Sequence, residues 1–373
     1  MAQSDLMENR QIHSMTAGEN STNKRIEWID LARATAILLV VLCHACESFY
    51  SFELEHFSTY PLYTKFSAMC MHTLGRWGVP LFLMISGYLM LDRHYDSDRC
   101  AHFWRHNWLR LVACTAIWIV INDVFRYLAE NVRISIPYLI EKELYMVNIS
   151  DMGHMWYMPM IVGLYLMLPF IANGLRSIDI RYLRMPMIVY MIVSFVYPAM
   201  GVVAKSFNLG TYGQQLAAGF SGGVYGLYMI LGYMIKKNEL KKIPGIFLGA
   251  LVLASLMGGI GLQLFAYAHG YQYDIWYNDL SLVLCAICLF ELFSRIRRVA
   301  WHDFIRFLAR YSFAVYLIHN LVCRLIHGSL AALPCAQWGK VLLMWGIAVF
   351  VSYLLAAALN RIPKLGKYLL FVK

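Results

Sequence analysis

Residues Trp28–Tyr50, WIDLARATAILLVVLCHACESFY, form an apolar run that as a helix crosses a hydrocarbon core of about 30 Å. Its centre, Ala34–Cys43, carries no charge. Comparable runs recur at approximately 67–90, 107–127, 154–172, 185–204, 216–235, 245–267, 275–293, 307–327 and 340–358. Only 14% of the 373 residues are charged, against about 25% in soluble domains, and 60% are hydrophobic. Backbone polar groups in lipid must bond within their own segment or around a closed barrel. The short alternating segments of a barrel are missing from the sequence. The expectation is an all-α polytopic membrane protein, with about ten transmembrane helices in one bundle.

Lysine and arginine set the expected orientation. With the N-terminus in the cytoplasm, twenty-three of the thirty-two fall in cytoplasmic segments, and only Lys65, Arg126, Arg133, Lys142 and Lys205 fall on the opposite side. Arg33, Arg76, Arg324 and Lys340 lie within or beside spans. This asymmetry predicts an even number of spans with both termini cytoplasmic. Residues 1–24 read as a disordered, polar cytoplasmic tail without a signal-peptide core, and 361–373 as a basic cytoplasmic tail. The net charge of +10 follows from topology and attraction to anionic membrane lipid. The basic residues are dispersed over short segments and form no stripe, which argues against nucleic acid as a partner.

The polar residues inside the spans are what lipid solubility does not explain. Arg33 and His44 bracket the apolar centre of the first span. Eleven residues turn a helix by roughly 1100° and raise it about 16.5 Å, so both side chains project from one face. Asp30 lies a turn before Arg33, where it can pair with that arginine or favour the helix N-terminus. Ionisable groups at such depths mark functional sites. Arg76 at mid-depth costs about 2.5–3.5 kcal/mol on insertion scales, so it requires a polar cavity or a partner. His154 and Trp156 open the fourth span and His319 lies in the outer half of the ninth. His44, Arg76, His154 and His319 can therefore reach one outward-leaning cavity, although His154 and His319 also read as satisfied structural residues. Arg324 reads as a snorkelling interfacial residue. Glu47, one turn past His44, reads as an exposed interfacial carboxylate more readily than as a partner of the imidazole. The CxxC pairs Cys43/Cys46 and Cys285/Cys288 sit in apolar helical surroundings and read as small buried residues, with no metal site expected. Gly222, Gly223, Gly226 and Gly232 read as a helix-packing face.

Four segments, taken in order, resemble the acyltransferase 3 family. The first is the Arg-x10-His spacing of Arg33 and His44, preceded by RIEWIDLAR. The second is GRWGVPLFLMISGYLM (75–90), with Arg76, Pro80, Ser86 and Gly87. The third is HMWYMPMIVGLYLMLPFI (154–171), and the fourth is SFAVYLIHNL (312–321). The resemblance spans about 25–360 and makes that stretch the expected acyltransferase domain. One departure stands out: Asn107 precedes Arg110 where the family often has an arginine, with Arg105 nearby.

This resemblance implies an O-acetyltransferase of the bacterial inner membrane. Such an enzyme moves acetyl from acetyl-CoA, a donor substrate and not a bound cofactor, to a hydroxyl of an envelope polysaccharide or lipid-linked sugar. Enterobacterial common antigen is one acceptor of the similar-looking members. The expected catalytic set is His44, as base or acyl carrier, with Arg33 and Asp30. Arg33, Arg105 and Arg110 are expected to contact the donor. Arg76, His154, Trp156, Ser312, Tyr316 and His319 are expected to hold the acceptor or the oxyanion. The competing expectation is a transporter of a small solute or envelope precursor with an intramembrane His/Arg pathway. Neither reading fixes an oligomeric state.

Overall fold

Inside a hydrocarbon phase a backbone N–H finds its partner most readily four residues back along its own helix, and the apolar runs fold accordingly. The computed structural model describes residues 25–207, 209, 222–362, 366, 369 and 370, apart from the side chains of 149 and 150. All regular structure among them is helical. Seven helices are long and apolar enough to span: α1 (Glu27–Glu47), α5 (Ser97–Glu130), α7 (Gly153–Arg176), α8 (Arg181–Ser206), α10 (Gly245–Ala268), α12 (His302–Ala331) and α13 (Gln337–Asn360). The other three expected spans hold shorter helices. The second is divided into α3 (Leu62–Arg76) and α4 (Gly78–Met90), the sixth holds α9 (Gly223–Lys236), and the eighth holds α11 (Leu280–Ser294). Two short helices, α2 (Leu54–Thr59) and α6 (Ile136–Glu143), lie in connections at the Glu47 end of α1. The expected tail at 1–24 lies outside the described residues.

The first helix is the axis of the bundle. It packs against α3, α4, α11, α12 and α13. Of its apolar window 61% is buried, compared with 22% for α10 on the periphery. The break between α3 and α4 has a local cause. Pro80 has no N–H to give the Arg76 carbonyl four residues back, so the ladder fails at Trp77 and Arg76 becomes the last residue of α3. Gly75 then allows close approach, since a Cβ there would lie 2.6 Å from the Cys43 backbone. Arg76 is thereby pressed against the end of α1. A second close contact joins α4 and α9, where a Cβ on Gly232 would lie 2.1 Å from the Met84 carbonyl oxygen. The expected packing face thus operates at Gly232.

Each end of the bundle is tied by its own contacts. At the Glu27 end, Asp92 pairs with Lys237 (2.6 Å) and Lys236 (3.3 Å), and Arg184 pairs with Glu239 (2.6 Å). At the Glu47 end, His327 Nε2 donates to the Ser48 carbonyl (3.0 Å), joining α12 to the loop after α1. The described part of the final segment folds back onto the bundle. Trp118 Nε1 of α5 donates to the Leu369 carbonyl (2.8 Å), and Leu370 is buried.

Candidate active site

His44, the Arg-x10-His histidine, stands in the last turn of α1, three residues before Glu47. That spacing puts both side chains on one side of the helix end. Glu47 Oε2 accepts from His44 Nδ1 at 2.8 Å. Its other oxygen, Oε1, accepts from Arg76 Nη2 at 2.9 Å and from His72 Nε2 at 3.3 Å. A carboxylate at a helix C-terminus is disfavoured by the helix dipole, so these donors offset an unfavourable position. Arg76 is held on its other side by the Trp276 ring, 4.4 Å from its Cζ, and by the Tyr277 hydroxyl at 3.5 Å. The guanidinium that the sequence left at mid-depth is thus partnered by a carboxylate and two aromatic rings.

These bonds assign the tautomer of His44. A carboxylate can only accept, so Nδ1 carries the proton and Nε2 keeps its lone pair. That nitrogen belongs to a side chain 17% exposed, on the wall of a cleft of about 480 Å³ also lined by Glu47, Arg76, His154, Trp156 and Trp276. The same cleft reaches Asn320, Arg324 and His327 of α12.

Two further imidazoles stand around His44, with ring centroids 5.2 Å away for His319 and 6.3 Å for His154. His319 Nδ1 donates to the carbonyls of Tyr316 (2.7 Å) and Val315 (3.1 Å), so its buried Nε2 is an acceptor. His154 is arranged the opposite way. Asn320 Nδ2 lies 2.7 Å from His154 Nδ1, and an amide nitrogen can only donate. His154 Nε2 therefore carries the proton, and it has no partner among the described residues. Tyr316 fixes this arrangement by donating its hydroxyl to the His154 carbonyl at 2.7 Å. Trp156 stacks with Tyr277 (5.3 Å) and Trp276 (5.6 Å), closing one flank. The cleft wall thus brings a base with a free lone pair beside an imidazole whose buried Nε2–H has no side-chain partner.

Other expected site residues lie elsewhere. Asp30 pairs with Arg25 at 2.6 Å instead of with Arg33. The electrostatic neighbours of Arg33 are Tyr165 of α7, Asp30 and Arg25. Tyr165 shares a 3.0 Å hydrogen bond with Ser86. The face of α1 between Arg33 and His44 is filled by Ile37 (0% exposed) and Val40 (4%), so it is packed in this conformation. Ser312 is buried and spends its hydroxyl on the Ala309 carbonyl. Arg105 is exposed in the π-helical turn Trp104–Trp108 of α5, and Arg110 is half-buried in the next turn. Of the segment 205–215, only 205–207 and 209 are described.

Sequence reasoning passed over His72, Asn320, Trp276 and Tyr277, and weighed Glu47 as interfacial. The i, i+3 spacing from His44 was the available signal for Glu47. Nothing local marked the others, which come from α3, α12 and the loop before α11. Cys43, Glu47 and His72 also bring metal-ligand atoms within 4.8 Å of one another. A cation there would have to displace the Arg76 guanidinium from Glu47 Oε1.

Comparison with known proteins gives this geometry a setting. A family model described as an acyltransferase domain, acyltransferase 3, matches residues 26–361. No curated protein and no solved structure matches the chain. The matched stretch runs from the start of the bundle at α1 to the end of α13, and contains His44, Glu47, Arg76, His154 and Asn320. The chain belongs to the acyltransferase 3 family.

Proposed function

We propose that the protein moves an acetyl group from acetyl-CoA to a hydroxyl of an envelope polysaccharide or lipid-linked sugar, with His44 as general base. The observation that carries this reading is the His44–Glu47 couple beside the unpartnered His154 Nε2–H. Acyl transfer to an alcohol needs a proton acceptor and a donor aimed at the developing oxyanion. His44 Nε2 takes the hydroxyl proton as the oxygen attacks the thioester carbonyl. Glu47, bonded to Nδ1, steadies the imidazolium that results. His154 Nε2–H bonds the tetrahedral oxyanion. As the carbon–sulfur bond breaks, the proton passes from His44 to the leaving thiolate, giving an acetyl ester and free CoA.

Membrane placement belongs to the same proposal. The bundle has ten spans in the bacterial inner membrane, the Glu27 end faces the cytoplasm, and the acceptor enters at the Glu47 end. CoA phosphates meet Arg33, Arg105 and Arg110. Because Ile37 and Val40 fill the α1 face above Arg33, the pantetheine arm follows the Ser86–Tyr165 pair of α4 and α7 toward His44.

The test is acetyl-CoA turnover by purified protein in detergent with envelope glycan as acceptor, followed as free CoA and as an acetyl mass increment on the glycan. Wild type transfers, and His44→Ala at equal folded concentration does not. Turnover by His44→Ala at the wild-type rate removes the proposed base. Detergent also separates catalysis from transport, since a transporter has no compartment to fill there.

A further inference from the structure

Beside the reaction cleft, at the same end of the bundle, lies a second cavity of about 210 Å³. The two share the wall formed by Gly153, His154 and Arg324. Helix α5 ends here because Asn131 adopts a left-handed conformation (φ 55°), and the turn carries the chain to Arg133. The cavity is lined by four cations, Arg126, Arg133, Lys142 and Arg324.

Most of that charge is interleaved with carboxylates. Lys142 and Asp123 form a buried pair at 2.8 Å, and Arg126 stands 3.9 Å from Asp123 and 3.7 Å from Glu130. Arg324 bonds Glu130 at 2.6 Å. Asp151 adds one more carboxylate to the lining. Two features remain without a counterpart. Arg133 pairs with no carboxylate among the described residues. Arg126 Nε is buried without a hydrogen bond, its nearest carboxylate oxygen being that of Glu130 at 3.7 Å. His154 is 6% exposed and borders both cavities. An unpartnered cation and an unmet N–H donor beside a partly open cavity fit an anion with several acceptor oxygens.

We propose that this second cavity binds the anionic group of the acceptor, a phosphate or a carboxylate, while the hydroxyl to be acylated sits at His44. The inference rests on the acyl-transfer reading for its second half and on the cavity alone for its first. The outer face of α5 at the same level carries the exposed apolar residues Val124 and Leu128, so the cavity lies near the lipid boundary. Two anion sources satisfy its chemistry: the diphosphate of a lipid-linked sugar and the carboxylate of an acidic sugar residue.

The experiment measures equilibrium binding to the full-length purified protein in nonionic detergent. The probes are farnesyl diphosphate against farnesol, and methyl glucuronide against methyl glucoside. Selective binding of farnesyl diphosphate, weakened at least tenfold by Arg133→Gln and by Arg126→Gln, supports the site with phosphate as its ligand. The same pattern with methyl glucuronide supports it with carboxylate. Arg133 is exposed on a connecting loop, so its replacement tests the charge without unfolding the bundle. Anions that bind no better than their neutral counterparts, or that bind both arginine variants as tightly as wild type, overturn the proposal. His44→Ala retains anion binding if the site is separate from the base, so failure here and failure of the acyl-transfer reading are read independently.

Discussion

Replacing Glu47 by glutamine tests whether this carboxylate orients the base. The substitution keeps an oxygen for Arg76 but can turn its NH2 toward His44 Nδ1. An amide donor there makes Nδ1 an acceptor, moves the proton to Nε2 and removes the lone pair that takes the acceptor's proton. A hydrogen bond to a charged group contributes about 1.5–3 kcal/mol. At 1.36 kcal/mol per tenfold in rate, that loss alone is about 10- to 150-fold. In the Ser-His-Asp triad the equivalent amide substitution costs about 10⁴, much of it from the wrong tautomer. Here Arg76, 2.9 Å from the other oxygen, already neutralises part of the field that Glu47 exerts on His44. The expected fall in kcat is therefore about 10²–10³, with KM for acetyl-CoA changed less than about threefold because no donor contact is touched. Stability is the necessary control. Arg76 is 8% exposed and loses its counter-charge, but Glu47 is 33% exposed, so the loss stays below the 3–5 kcal/mol of a fully buried pair. The assay is initial-rate CoA release in lipid nanodiscs, with thermal unfolding measured on the same samples. A folded Glu47→Gln protein with kcat within threefold of wild type would falsify the orienting role.

Further outcomes follow from the same geometry. His154→Ala should lower kcat by about 10²–10³, the loss typical of an oxyanion donor. Asn320→Ala, which leaves the imidazole but frees its tautomer, should cost about tenfold, and equal kcat losses for both would refute the division of roles. Gly232→Ala forces a Cβ to 2.1 Å from the Met84 carbonyl and should destabilise by at least about 1–3 kcal/mol, read as a lower unfolding temperature in detergent. Gly163→Ala, with nothing within 4 Å, is the control expected to leave that temperature unchanged. Burial alone would raise the Asp92 carboxyl, but hydrogen bonds from Lys237 and Lys236 hold it below the usual carboxylate range. Its contribution is complete above the unfolded pKa of about 3.9 and is lost as pH falls through the lower folded value. Asp92→Asn should accordingly flatten the acid limb of the stability profile below about pH 4, and an unaltered limb would show that the clip does not form in solution.

Periodicity and hydropathy made the helices legible because lipid imposes one rule on every span, that backbone groups must be satisfied within it. The same rule says little about which helices touch. The Pro80 break was written in the sequence as a residue without an N–H. Its consequence, that Arg76 ends a helix against α1, depended on Gly75 meeting the Cys43 backbone, a contact between distant segments. Arg33 and His44 show the limit from the other side. Their shared helical face was computable from spacing, yet that face is packed with Ile37 and Val40, and the two residues serve opposite ends of the bundle. Asp30, one turn from Arg33, finds Arg25 instead, because Arg25 precedes the helix and is free to fold back. Glu47 was only half legible from position: it is exposed, as read, but also bonded to His44 and Arg76. A carboxylate one turn past the apolar centre reads as interfacial when only α1 is considered, and the donors that retain it, His72 and Arg76, arrive on α3. The tautomers were beyond any sequence argument, since they depend on the Val315, Tyr316 and Asn320 groups that α12 sets beside His319 and His154. A sequence can thus nominate the histidines, whereas assigning one as acceptor and another as donor requires the hydrogen bonds that each makes behind the cleft.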